Sequence, residues 1–189
     1  MEPIELEGPR VRLIPLEASH AEALFEAARD TEPFRYMPIP ASIDSAAKMR
    51  ALLEAILDGN TGQVMTQVVE GKPVGTTGFW DYKEQHRSVE IGFSWLTRRL
   101  QGTGVNTESK LLLMRHAFGP LECMRVEFKT DSRNVRSQRA LEKLGAVREG
   151  VLRSHYTMLE GPRRDSVYYS VLREEWPDVE RSLEARLQS

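Results

Sequence analysis

The chain has 189 residues, 40% of them hydrophobic and 29% charged, which excludes collagen-like and low-complexity classes. Its 26 Lys and Arg against 28 Asp and Glu leave a net charge of −2, which argues against a dedicated nucleic-acid binder. A single cysteine, Cys123, excludes an intramolecular disulfide and a multi-cysteine zinc site, and no apolar run approaches the roughly 18 residues of a membrane span.

The stretch from Met1 to Glu5 lacks the basic start and apolar run of a signal peptide. The expectation is a soluble cytoplasmic protein, one domain over residues 1–189 with its core over about 8–178. Val11 to Leu16 reads as the first strand, with Pro15 suited to an edge or strand end. Ser19 caps a predicted helix to Ala28, where Ala21, Leu24, Phe25 and Ala28 share a face. Residues 30–42 form a loop with Pro33, Phe34, Tyr36 and Pro38, either a substrate rim or a flap over the core. A second helix opens at Asp44 or Ser45, spaces Met49, Leu52, Leu53, Ile56 and Leu57 helically, and ends at Gly59-Asn60.

From Gln63 the period drops to two. Val64–Glu70, a Gly71-Lys72-Pro73 turn and Val74–Tyr82 predict a hairpin, and Ser88–Leu96 a third strand. Val105–Phe118 is a helix apolar over a wide arc, hence buried on several sides. There follow a strand at Met124–Thr130, a helix at Asn134–Leu144 closed by Gly145, and strands at Val147–Arg153 and Asp165–Leu172. Pro162 turns between those last two, and a fraying helix covers Ser182–Leu187. The predicted order, β-α-α-β-β-β-α-β-α-β-β, is α/β: a mixed sheet with helices packed on it.

The chemistry concentrates where the Ser88–Leu96 strand meets the Val105 helix through Arg99-Leu100-Gln101-Gly102-Thr103-Gly104. A strand, a Gly-x-Gly turn and a helix start present unpaired backbone N–H groups and a helix dipole to an anion. A Walker loop fails, because Gly104 is followed by Val105-Asn106 rather than Lys-Ser/Thr; a dinucleotide fingerprint fails, because Thr107 stands where its third glycine belongs. The loop does resemble the Q/R-x-x-G-x-G/A acyl-CoA pyrophosphate loop of the GCN5-related N-acetyltransferases (GNAT). Asn134 and Ser137, running into Ala140-Leu141-Glu142-Lys143-Leu144-Gly145-Ala146, look like that family's second signature, and Arg148 to Arg153 is similar to the REGVLR segment of its RimJ/RimL-like branch.

The resemblance implies a GNAT fold and an acetyl-CoA-dependent N-acetyltransferase, with no metal, acting on a primary amine of a small molecule or a protein N-terminus. It implies direct attack in a ternary complex and a homodimer as one form the family uses, while the charge balance and the lack of a long apolar run argue against a nucleic-acid or membrane partner. The pantetheine arm would run along the backbone of Phe93, Ser94, Trp95 and Leu96, where a backbone N–H also meets the oxyanion. The pyrophosphate would take the N–H groups of Gln101, Gly102, Thr103, Gly104 and Val105, with Arg99 beside them. Asn134 would bond the pantetheine, although its position also suits a plain helix cap, and Arg139 would reach the adenosine phosphates. A non-catalytic acyl-CoA-binding module is the rival, supported by Leu141 where many members carry a tyrosine.

Proton transfer needs a base, because an alkyl amine near pKa ~10 is mostly protonated at neutral pH. Glu90 is the first candidate, since strand alternation sets it on one face with Gly92, Ser94 and Leu96. The RimL-like resemblance makes Ser137 the candidate proton relay to the thiolate, and His155 and Tyr156, which follow the Arg148–Arg153 strand, are further candidates at the acceptor side. Cys123, Trp80, Trp95 and Trp176 read as packing residues.

Overall fold

The two-residue period from position 64 to 96 builds three antiparallel strands: β3 (Val64–Val69), β4 (Lys72–Lys83) and β5 (Ser88–Leu96). They sit mid-sheet in a computed structural model that describes residues 2–29, 32–39, 43–59, 62–159 and 161–188. Ahead of them come β1 (Leu6–Glu7), β2 (Arg12–Pro15), α1 (Ala21–Ala28) and α2 (Ala46–Gly59). After them come α3 (Val105–Phe118), β6 (Arg125–Asp131), α4 (Val135–Leu144), β7 (Val147–Tyr156), β8 (Arg164–Leu172) and α5 (Trp176–Gln188). The eight strands form one mixed sheet in the order β1-β2-β3-β4-β5-β6-β8-β7, as the α/β reading expects. Among the described residues no helix is long and apolar enough to cross a membrane.

One face of the sheet packs Val89, Ile91, Val126 and Phe128 against Leu113 and Met114 of α3, Leu141 of α4 and Leu183 of α5. The other packs Val64 and Trp95 against Leu24 of α1, Leu53 of α2 and Phe34 of the connecting loop. Of the expected 30–42 loop, residues 32–39 are described; Asn60, the expected end of α2, lies outside the described residues.

Four expectations change, the first at Ser19, which lies inside a 3-10 turn capped by Glu17 ahead of α1 rather than capping the helix. The hairpin turn is Glu70-Gly71, both at positive φ (51° and 75°), so Pro73 falls inside β4, next to a register shift between Gln67 and Val68 that suits a residue with no N–H. β1 is an added edge strand on β2. The terminal helix is no fraying piece: Pro177 sits in its first turn, where a proline is tolerated, and Val179 and Leu183 are buried. Trp176 stacks on Phe118 at 5.2 Å, and Arg115 bonds Glu180 at 2.6 Å and also Glu184. Leu183 is wholly buried, so Leu183→Ala should destabilise the chain by about 2–5 kcal/mol, read as a lowered urea midpoint at unchanged m-value.

Candidate functional site

β5 and β6 run parallel but pair only at Ser88–Arg125, Val89–Val126 and Glu90–Glu127. Beyond Glu90 they diverge, and the β6-facing edge of β5 has no strand partner among the described residues. The split opens into a cleft of about 1190 Å³ that reaches both sides of the sheet. Such a volume exceeds the ordinary small-ligand pocket and leaves room for two reactants.

Inside β5 an extra residue breaks the alternation. Thr76 faces Trp95 and Gly78 faces Gly92, so two residues of β5 lie opposite one of β4, and Phe93 takes a left-handed φ of 47°. This bulge corrects the expected face of Glu90. Glu90 lies on the α1–α2 side, where a Cβ on Gly92 would meet its Oε1 at 3.0 Å and the Trp80 ring at 3.2 Å. Ser94 and Leu96 are thrown to the α3 side, where Ser94 Oγ meets Thr77 Oγ1 at 2.8 Å and Leu96 joins the α3 core. On the α1–α2 side Phe93, Trp95 and Trp80 form an aromatic wall closed by Phe34, which stacks on Phe93 at 6.4 Å and meets Trp95 edge-on at 5.8 Å. Phe34 is thus a core residue, whereas Pro33, Tyr36 and Pro38 line the cleft.

Glu90 is buried, and Lys129 Nζ stands 2.7 Å from its Oε2. Burial pushes the Glu90 carboxyl above the usual carboxylate range, and Lys129 only partly opposes it. Burial alone would lower the pKa of Lys129, but Glu90 reverses this and holds it above its ordinary value. Two further cleft groups lie beside this pair: the Tyr156 ring, 5.5 Å from Lys129 Nζ, and Arg164, whose Cζ is 5.4 Å from the same ring. His155 packs against Tyr156 at 4.2 Å but does not line the cleft.

At the opposite mouth the chain leaves β5 through a short turn into α3. Gly102 and Gly104 take positive φ (82° and 91°), a conformation side chains rarely adopt, so only glycines give this loop its shape without strain. The Gln101 N–H is spent on Arg98 O and the Thr103 N–H reaches Leu100 O at 3.4 Å, which leaves Gly102, Gly104 and Val105 without acceptors for their N–H groups among the described residues. Gln101 and Gly102 line the cleft; Arg99, Thr103, Gly104, Val105 and Arg139 do not. The arginines at the mouth are Arg98 and Arg136, the latter bonding Gln101 Oε1 at 2.6 Å. The periodicity of α4 explains this: Arg136, Ala140 and Leu141 share the cleft-facing stripe, and Arg139 is turned to solvent. Asn134 is the α4 cap, its Oδ1 accepting the Ser137 N–H at 3.1 Å, and both side chains line the cleft. The cap reading and the ligand reading of Asn134 are therefore compatible. Leu141 is buried at the cleft wall, and Cys123 is a buried free thiol pushed up to about 11 by burial, unfit as a nucleophile.

Sequence reasoning missed Lys110. It is buried on α3, lines the cleft, and donates to Thr77 Oγ1 at 2.8 Å and Ser94 Oγ at 2.5 Å with no carboxylate within 4 Å among the described residues. The clue was its helical phase, since Leu113, Met114 and Ala117 follow it on one stripe.

The Acetyltransferase (GNAT) domain family matches residues 10–147 of this chain. YdaF of Bacillus subtilis (strain 168), provisionally named a ribosomal N-acetyltransferase, is 31% identical over 107 residues, 57% of this chain and 57% of its own length. A crystal structure from T. thermophilus, provisionally named an acetyltransferase, is 40% identical with a TM-score of 0.90, covering 99% of this chain and 98% of that one. RimL, a ribosomal L7/L12 alpha-N-protein acetyltransferase, is 17% identical with a TM-score of 0.77 over 91% of this chain and 96% of its own, a likeness of fold alone.

Proposed function

The chain belongs to the GNAT acetyltransferase family, and from that premise we propose that it moves an acetyl group from acetyl-CoA to a primary amine by direct attack in a ternary complex. One observation carries the reading: the split between β5 and β6 joins a loop with free backbone donors at one mouth to a buried carboxylate at the other end. When bound, acetyl-CoA supplies a thioester, an acyl group already activated toward amines.

The cleft suits that cofactor. The unpaired β5 edge from Phe93 to Leu96 offers amide groups to an amide-rich arm, and the N–H groups of Gly102, Gly104 and Val105 with the start of α3 offer an anion site. Arg98 and Arg136 add positive charge at that mouth, and Arg99 and Arg139 stand outside the cleft wall beside it. On the far side, burial raises the Glu90 carboxyl, so it takes up a proton more readily than a surface carboxylate does. In the proposed step the C–N bond forms as the C–S bond breaks. The proton leaving the acceptor nitrogen goes to Glu90, and the departing thiolate takes one through the Ser137 hydroxyl. The tyrosine that many members use is replaced by Leu141. The likeness to YdaF favours a ribosomal acceptor among the amines.

Calorimetry with acetyl-CoA, followed by thiol release over a panel of small amines and peptides with free N-termini, tests the reading. The expected result is acetyl-CoA binding and amine-dependent thiol release. Binding with no release for any amine would reduce the protein to an acyl-CoA-binding module.

A further inference from the structure

The α1–α2 side of the cleft does not balance its charges. Glu90 is matched by Lys129 at 2.7 Å, and Asp131 by Arg133, whose Nε lies 2.9 Å from Oδ1. Arg164 remains. It is only 6% exposed, lines the cleft, and spends Nε on Ser166 Oγ at 3.1 Å and Nη1 on the Tyr36 carbonyl at 3.0 Å. Its Nη2 has no partner, and no carboxylate lies within 4 Å of it among the described residues. A guanidinium cannot shed its charge as a buried lysine can, so a buried one calls for an anion. Three anchors aim it: the Tyr36 carbonyl, Ser166 and the Tyr156 ring beneath it. That much restraint fits the planar, two-pronged recognition of a carboxylate.

We propose that Arg164 is an anion subsite for a carboxylate carried by the amine acceptor. This rests on the reading of the cleft as an acetyl-transfer site. Lys129, paired with Glu90, and Arg164 both stand within 6 Å of the Tyr156 ring centroid, and Glu90 and Arg164 form no ion pair within 4 Å, so one acceptor can set its amine at Glu90 and its carboxylate at Arg164. The acceptor therefore carries its carboxylate on the same molecule as its reacting amine. Two sources share that chemistry: an acidic side chain close behind a peptide N-terminus, and an amino acid whose reacting amine is at the far end of its chain.

The test compares acidic and neutral versions of one short peptide, and ε-aminocaproate with its amide, on the wild-type protein, Arg164→Gln and Arg164→Lys. For at least one source, wild-type kcat/KM should favour the carboxylate member about 10- to 100-fold. That ratio should collapse toward unity in Arg164→Gln and fall in Arg164→Lys, which keeps the charge without the fork. A loss of fold lowers both members of a pair alike and leaves the ratio intact. Thermal melts identify an unfolded glutamine variant, and the lysine variant then decides. Calorimetry of the N-acetylated products supplies a readout independent of turnover. Carboxylate binding that depends on Arg164 in the absence of any turnover supports the subsite and overturns the transfer reading. Turnover with no preference in the wild type, or a preference that survives in both variants, overturns the subsite and keeps the transfer reading. No turnover and no carboxylate binding overturns both.

Discussion

Glu90→Gln should lower kcat about 10²- to 10³-fold, the range of a lost general base, with acetyl-CoA affinity nearly unchanged. The substitution is isosteric and lies at the far end of the cleft from the Gly102–Gly104 loop, so the cofactor contacts proposed there survive it. The pH dependence is the sharper readout. Burial raises the Glu90 carboxyl, so wild-type kcat/KM should fall on acidification through a midpoint above the carboxylate's ordinary 4.5. Glu90→Gln removes that acid limb. Lys129→Met moves it upward, because Lys129 is the charge that holds the carboxyl down against its burial. Removing one member of a buried pair is destabilising by about 3–5 kcal/mol, so the profiles are to be taken well below the variants' melting temperatures. An acid limb that persists unchanged in Glu90→Gln would falsify the base assignment and transfer it to another cleft group.

Local elements and contiguous motifs were legible in the residues; pairings between distant segments were not. The β5–loop–α3 unit is continuous in sequence, and its Gly-x-Gly turn appears as expected because glycine content and strand-to-helix change of period are local signals. The Asn134 cap and the mixed sheet follow the same logic. The bulge at Phe93 was invisible, since nothing in Glu90-Ile91-Gly92-Phe93-Ser94-Trp95 marks where an added residue leaves the ladder, and a single one inverts every side chain beyond it. Glu90 thus proved to line the cleft although the face it was placed on had the wrong companions. The docking of α5 depends on α3, about 60 residues earlier in the chain, and a helix with Val179 and Leu183 at i and i+4 shows no length limit until its partner is known.

The arginine assignments differ from the structure by small helical and turn offsets. Arg98 rather than Arg99 lines the mouth because a 3-10 turn over Arg98–Leu100 separates the two directions, and Arg136 rather than Arg139 faces Gln101. Charge composition gave no warning of Arg164 or Lys110. A net charge of −2 averages over a surface rich in ion pairs, and it conceals two buried cations, on opposite sides of the sheet, that have no carboxylate within 4 Å among the described residues. Near-neutrality therefore coexists with a cleft whose interior is positive.

The second of those cations yields a prediction of increased stability. Burial pushes the Lys110 amine down from its ordinary 10.5 to about 7, and its only partners among the described residues are two neutral hydroxyls. Below pH 7 the folded chain must hold this ammonium charged in a desolvated site, and the full penalty applies. Between pH 7 and 10.5 the unfolded chain binds a proton that the folded chain has released, so stability should climb as pH rises through that window. At about 1.4 kcal/mol per unit the penalty is roughly 4–5 kcal/mol, from which the two lost hydrogen bonds of a Lys110→Met variant subtract about 1 kcal/mol each. Thr77 and Ser94 already bond one another at 2.8 Å, so methionine strands no buried hydroxyl. Lys110→Met should therefore be about 2–3 kcal/mol more stable than the wild type at pH ~6. The gain should shrink as pH rises and reverse sign by pH ~10, where the penalty is nearly gone and only the lost hydrogen bonds remain. Urea melts at several pH values read both. A variant that is less stable at the acid end, or whose advantage does not vary with pH, would show that Lys110 is solvated or paired in the folded chain. Because Lys110 contacts β5 through Ser94, at the edge that the acyl-CoA arm is proposed to follow, the retained penalty sits where a stability cost is most readily exchanged for function.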